Sequence, residues 1–194
     1  YAMDLSDGQL KYAYRNSKKV HNLNIFKGDY HNLSQFEESS IDICFIVEAL
    51  CYSTEKRKVL DQVSRILKPN GLFIVIDGYL NKEEKELNKD ILLVNRLVEV
   101  GMAVPKFEAY TLFRDSAEVN YNVEYEEDIS REVVPSMLRL EKLARVFFKN
   151  IILAKILSRL LPHIFVYNSL SGYFMPNLIE EGIASYMITV LRKK

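Results

Sequence analysis

Cysteine is scarce in this chain of 194 residues, which holds only Cys44 and Cys51. Their closeness in sequence supports neither a disulfide framework nor a zinc site, so reduced thiols in a cytoplasmic protein are expected. Histidine is almost as rare, and His21, His31 and His163 lack metal-ligand spacing, so no metal is expected. An excess of one charge is missing too. Lys and Arg total 26 against 26 Asp and Glu, and nothing global steers the chain toward nucleic acid. With 7 Gly and 5 Pro, and no repeat or low-complexity stretch, there is little room for a flexible join. A single domain over residues 1–194 is therefore expected. No secretory pattern opens the sequence. The most apolar region, residues 151–170, is broken by Lys155, Arg159, Pro162 and His163, which excludes an ordinary membrane span.

What is present centres on residues 41–77. Ile41, Asp42, Ile43, Cys44, Phe45, Ile46 and Val47 form a short run rich in β-branched residues, as in a buried strand. Leu72, Phe73, Ile74, Val75, Ile76 and Asp77 form a second. Between them Val59, Leu60, Val63, Ile66 and Leu67 recur at the spacing of one helical face. Lys68-Pro69-Asn70-Gly71 should end that helix, with positive φ supplied by the Asn-Gly turn. Strand, helix and strand at this spacing make a βαβ unit with parallel strands. Ligands of such sheets bind beyond the carboxyl ends of the strands, here residues 47–52 and 77–79.

The remaining chain extends the alternation. Residues 1–5 read as the end of a strand closing in Asp4, and Ser6 caps a helix with Gln9 at capping-box spacing. Leu10, Ala13, Tyr14 and Ser17 form its inner face. A short strand at 24–27 leads into Gly28-Asp29 and a polar loop to Ser40. After the βαβ unit, residues 81–100 predict a helix with a stripe of Leu87, Ile91, Val94, Leu97 and Val98, ended by Gly101. Residues 102–118 read as irregular. Val119, Tyr121, Val123 and Tyr125 alternate as a strand with one wet face. Ser130 should cap a helix toward Phe148, further helices are expected at 151–161 and 169–181 with a stop at Gly182, and 184–191 is a closing strand. The expected fold is α/β, a doubly wound Rossmann-like sheet, mostly parallel with an antiparallel C-terminal strand.

Several segments, in order, resemble the class I S-adenosylmethionine-dependent methyltransferases, especially the branch acting on quinones, sterols and tocopherols. Ala2-Met3-Asp4-Leu5-Ser6 looks like the end of that family's second strand, and Gly28-Asp29-Tyr30 with Asn32-Leu33 like its adenine loop. Residues 41–45 with Glu48-Ala49-Leu50 look like its fourth strand and substrate-facing turn. Ile66-Leu67-Lys68-Pro69-Asn70-Gly71 is similar to its leucine-lysine-proline-glycine-glycine turn. Asp128-Ile129-Ser130 and the strand from Tyr186 to Lys193 also fit. One motif is missing: no Gly-x-Gly, the loop that lies against the cofactor's methionine portion, occurs in these residues. The expectation is an N-terminally truncated sheet, short of a central strand and open to pairing with a second copy of the chain.

The resemblance implies S-adenosylmethionine as cofactor, with Asp4 on the ribose hydroxyls, Asp29 on the adenine amino group, and Leu5, Gly28, Tyr30 and Val47 around them. A helix-flanking acid and a turn aspartate are the plain alternatives for the two carboxylates. Glu48 is the candidate proton acceptor, or else a partner for nearby backbone donors. Cys51, Tyr52, Asp77 and Tyr79 are candidate substrate contacts, Cys51 also reading as a packed hydrophobe. His31 reads as a solvated loop residue beside the adenine loop.

Residues 142–179 contain no acid but do contain Lys142, Arg145, Lys149, Lys155 and Arg159. Phe147, Phe148, Ile151, Ile152, Ile156, Leu157, Leu160 and Leu161 are expected on the opposite face. This predicts a helical lid within about 131–182 over a lipophilic or aromatic substrate, a role compatible with peripheral contact at an anionic membrane. The expected function is methyl transfer to such a small molecule. The alternative is a non-catalytic relic of the same fold or an interaction protein, and a dinucleotide-binding dehydrogenase is a more distant option.

Overall fold

The computed structural model describes residues 1–160 and 163–194. Strand β1 (Ala2–Asp4) leads into helix α1 (Asp7–Asn16), and β2 (Ile25–Lys27) returns parallel to β1. Ser6 accepts the Gln9 backbone N–H at 3.4 Å, satisfying one free donor of the first turn of α1. Leu10 is the buried residue of α1, and Tyr14, though exposed, anchors the helix by donating to the Ile25 carbonyl at 2.5 Å. Then come β3 (Ile41–Val47), α2 (Lys56–Ile66) and β4 (Leu67–Leu80), with β3 and β4 parallel as the spacing requires. Asn70 carries the predicted positive φ, at 62°. Leu67 pairs with Ile41 directly after the last helical residue and the next pair is Ile43 with Leu72, so residues 68–71 bulge out between them where the turn was expected.

Helix α3 (Lys89–Met102) runs past Gly101 and stops where Ala103 turns left-handed at φ 57°. Gly101 is instead a contact point, for an added Cβ would lie 2.5 Å from the Tyr167 carbonyl oxygen. Residues 102–118 are not wholly irregular: α4 (Tyr110–Ala117) buries Phe113 and Ala117. No side chain caps its N-terminus, and eight residues are too few to show the helical period plainly. Strand β5 (Tyr121–Asp128) starts two residues later than the alternation suggests, leaving Val119 exposed outside it. Helices α5 (Ser130–Lys149), α6 (Ile151–Leu160) and α7 (His163–Glu180) follow, and β6 (Ala184–Lys193) ends the fold. Helix α7 begins six residues before its expected start, and Gly182 takes the positive φ beyond its end. The expectations placed on Leu161, Pro162 and the side chains of Ile151, Leu157 and His163 lie outside what is described. Ser130 is not the cap of α5; Asp128 accepts its N–H at 2.9 Å, and the Ser130 hydroxyl accepts the Tyr186 N–H at 2.9 Å.

The strand order is β3-β4-β6-β5, with β6 antiparallel to both neighbours, while β1 and β2 form a separate pair. Helices α2 and α4 cover one face of the larger sheet, where Val59, Leu60, Val63, Phe73, Val75, Phe113 and Tyr121 pack together. A second cluster joins Leu80, Val98, Phe107 and Leu178. Strand β3 corrects the expectation of full burial. Cys44 and Ile46 pack on the main core, whereas Ile43, Phe45 and Val47 point outward, Phe45 being 74% exposed. Among the described residues its ladder partner is β4, with β3 at the edge of the sheet. Consequently half of the apolar run meets solvent.

Candidate functional site

The carboxyl ends of β3 and β4 and the start of β6 meet because β6 runs antiparallel, pairing Gly78 with Tyr186 and Asp77 with Met187. Glu48, the first residue after β3, has φ 49°, a conformation that costs a non-glycine residue about 1 kcal/mol or more. Its N–H is held by the Ile76 carbonyl at 2.9 Å, and its Oε1 accepts the Tyr186 hydroxyl at 2.7 Å. The carboxylate is thus held by a side chain, not by backbone donors as the alternative reading had it. Burial first, and then the bond to Glu48, push the Tyr186 hydroxyl pKa up.

Asp77 is 3% exposed and shared between two turns, accepting the Cys51 N–H at 2.9 Å and the Gly78 N–H at 2.8 Å. Burial raises its pKa, opposed by those two N–H groups. The raised folded-state value means Asp77 adds stability fully below 3.8, its unfolded value, and that this contribution is lost as pH rises through the folded value. Urea denaturation at stepped pH should therefore show the parent losing stability relative to Asp77→Asn as pH rises toward neutrality. Parallel pH profiles for the two proteins would refute this. Cys51 is buried against Asp77, and burial followed by the Asp77 charge pushes its thiol pKa up, so it is a packed neutral group. Tyr52 is exposed beside it. Tyr79 is different: its ring is 2% exposed against Tyr110 and Phe113, 5.3 and 5.0 Å between centroids. It belongs to the core beneath the site, and its buried hydroxyl finds no hydrogen-bond partner among the described residues.

A second group gathers at the ends of β1 and β2. Asp4 Oδ1 accepts the Ser6 N–H at 2.7 Å, and the Asp4 carbonyl accepts the Gly28 N–H at 3.2 Å. A Cβ at Gly28 would run into the Met3 side chain, which would have to swing aside to admit it. Leu5 and the Asp4 side chain face solvent. Asp29 Oδ1 accepts both the N–H of His31, at 2.9 Å, and its Nδ1, at 2.7 Å. The backbone bond is the larger cause holding the Asp29 carboxyl below its usual value. His31 corrects the expectation of a solvated residue: it is half-buried, and its Nε2 meets Ser53 Oγ at 2.7 Å. Tyr30 packs against His31 with the rings tilted by 48° and donates to the Ala49 carbonyl at 3.1 Å, with burial lifting its pKa to about 12.

The Asp29–His31–Ser53 bridge and the Tyr30 hydroxyl therefore tie the loop after β2 to the turn after β3, joining the two groups. Val47 stands exposed at the end of β3. Sequence reasoning missed Tyr186 and Ser53. Tyr186 was legible as a strand residue, but its partnership with Glu48 depends on an antiparallel register that no local pattern encodes. Among the described residues, no helix is long and apolar enough to cross a membrane.

Residues 1–75 match the family model of a methyltransferase domain. The chain is 26% identical over 129 residues to the sterol 24-C-methyltransferase of Candida albicans, covering 64% of this chain and 34% of that protein. It thus aligns with about a third of the length of that relative. Among solved structures, it is similar to the geranyl diphosphate C-methyltransferase of Streptomyces coelicolor, with a TM-score of 0.70 at 12% identity over 99% of this chain and 61% of that one. The [4+2]-cyclase SpnF gives a TM-score of 0.68 at 15% identity, covering 98% of this chain and 64% of that chain. The fold thus houses more than one chemistry.

Proposed function

We propose, from the premise that this chain belongs to the class I S-adenosylmethionine-dependent methyltransferases, that it serves methyl transfer to a small lipophilic or aromatic molecule. The observation that carries this reading is a pair of carboxylates at the ends of adjacent parallel strands. Asp4 and Asp29 each commit Oδ1 to the local backbone, and among the described residues no hydrogen bond occupies either Oδ2. Such half-used, backbone-fixed acceptors suit a ribose diol and an adenine amino group. Leu5, Gly28, Tyr30 and Val47 complete that side. S-adenosylmethionine supplies, when bound, a methyl group on a sulfonium, ready for in-line displacement.

The protein's own part is mainly alignment, because such a displacement depends on proximity and orientation. Glu48 keeps one oxygen on Tyr186 and accepts a proton at the other when the acceptor must lose one. Tyr52 and the Cys51–Asp77 turn form the acceptor's floor. The α5–α7 insertion leaves β5 and re-enters β6 beside Tyr186 and acts as an apolar lid, with peripheral membrane contact part of the same reading.

Calorimetric titration with S-adenosylhomocysteine tests the cofactor side. Micromolar binding is expected, and Asp4→Ala should weaken it about tenfold or more, the worth of a hydrogen bond to a charged acceptor. Equal affinity in parent and variant would remove Asp4 from the site. A second reading, a non-catalytic relic, draws on the lack of any Gly-x-Gly and on the exposed face of β3. It expects a folded chain that gives no heat of binding.

A further inference from the structure

We infer that the outer face of α5 and α6 is a docking surface for an anionic phospholipid bilayer. On α6, Ile152, Lys155, Ile156, Arg159 and Leu160 recur at three- and four-residue spacing and share one face, which corrects the expectation that these apolar residues lie opposite the cations. All five are exposed, Ile152 at 73% and Leu160 at 76%. The last turns of α5 continue the pattern: Ala144 and Phe147 pack inward, while Arg139, Lys142, Leu143, Val146 and Lys149 face out. Large apolar side chains flanked by cations are what an interfacial helix presents to headgroups and acyl chains. Arg145 is not part of this face, being paired with Glu141 at 2.5 Å and stacked over Tyr173.

The charge distribution selects the partner. None of the five outward cations has a carboxylate within salt-bridge reach among the described residues. No acid occurs between Lys142 and Ile179, in a chain whose 26 basic and 26 acidic residues cancel. The remainder is therefore net acidic, and the molecule has a charge moment that turns this face toward a negative surface. A second copy is a poor occupant, because two-fold pairing would set five cations against five. Nucleic acid would leave three aliphatic side chains of α6 without purpose.

This deepens the lipophilic-acceptor reading, since a bilayer is where such an acceptor resides, and rests on it for its purpose alone. The test needs neither cofactor nor turnover, so it stands or falls separately from the S-adenosylhomocysteine titration. The whole chain is floated with vesicles of phosphatidylcholine, alone or mixed with phosphatidylserine. Binding is expected to the mixed vesicles, weakly or not at all to the neutral ones, and to fall as salt is raised. K155E/R159E should lower it at least about tenfold, and I152S/I156S should weaken it with the salt response kept. Circular dichroism matching the parent would certify both exposed-face variants as folded. Binding to no vesicle, equal binding to neutral ones, or unchanged binding by K155E/R159E would overturn the proposal. So would self-association abolished by I152S/I156S without vesicle binding, which would give the face to a second copy.

Discussion

For the methyl transfer proposed above, replacing Glu48 with Gln should lower the rate about 100-fold or more while leaving S-adenosylhomocysteine affinity within about twofold. Glutamine keeps the size of the side chain and an oxygen to accept the Tyr186 hydroxyl, now 2.7 Å from Oε1. It imposes no new demand on a backbone already at φ 49°. What it cannot do is take up a proton, so the loss should appear in kcat with KM little changed. Tyr186→Phe removes only the partner of Glu48 and should cost less. Radiolabelled methyl transfer to a panel of lipophilic acceptors would measure both variants. A Glu48→Gln enzyme within about threefold of the parent would return Glu48 to a structural role.

Gly101→Ala gives the largest expected effect on stability. At an ordinary interior helical position, alanine stabilises by up to about 1 kcal/mol relative to glycine. Here the new Cβ meets the Tyr167 carbonyl at 2.5 Å and the Ser171 Cβ and N at 2.8 and 2.9 Å. Two of these three atoms are backbone and cannot swing aside, so α3 and α7 must separate. Overpacking of this kind costs about 1–3 kcal/mol or more, and it outweighs the gain in propensity. The net loss should lower the melting temperature by about 5 °C, read by calorimetry at fixed protein concentration. A melting temperature equal to or above that of the parent would mean that α7 yields freely.

Gly101 also shows where a sequence is silent. A glycine at the end of an apolar stripe has the pattern of a helix stop, yet the stop lies at Ala103, and Gly101 is explained by a helix seventy positions away in number. The βαβ unit was legible because its signals are local: period in α2, β-branched runs in β3 and β4, and Asn70 at the turn. The outward face of β3 was not, because burial of a strand depends on what covers it and the run of Ile43, Phe45 and Val47 is apolar either way. Helix α4 was hidden by its brevity. At the candidate site, Asp4, Asp29, Glu48 and Asp77 stood at strand ends and could be picked out. The His31 bond to Ser53 and the Tyr186 bond to Glu48 form only through tertiary register.

The placement of β6 between β4 and β5 has a kinetic side. Among the described residues β5 has no other ladder partner, so it stays unpaired until β6 exists, and β6 follows three helices later in the chain. Pairings such as Leu72 with Arg192 close very long loops, whose entropy is lost before the contacts are gained. During synthesis the β4 edge that β6 will cover accordingly has no β6 to pair with while α5 to α7 emerge, and the four-stranded sheet can be completed only after them.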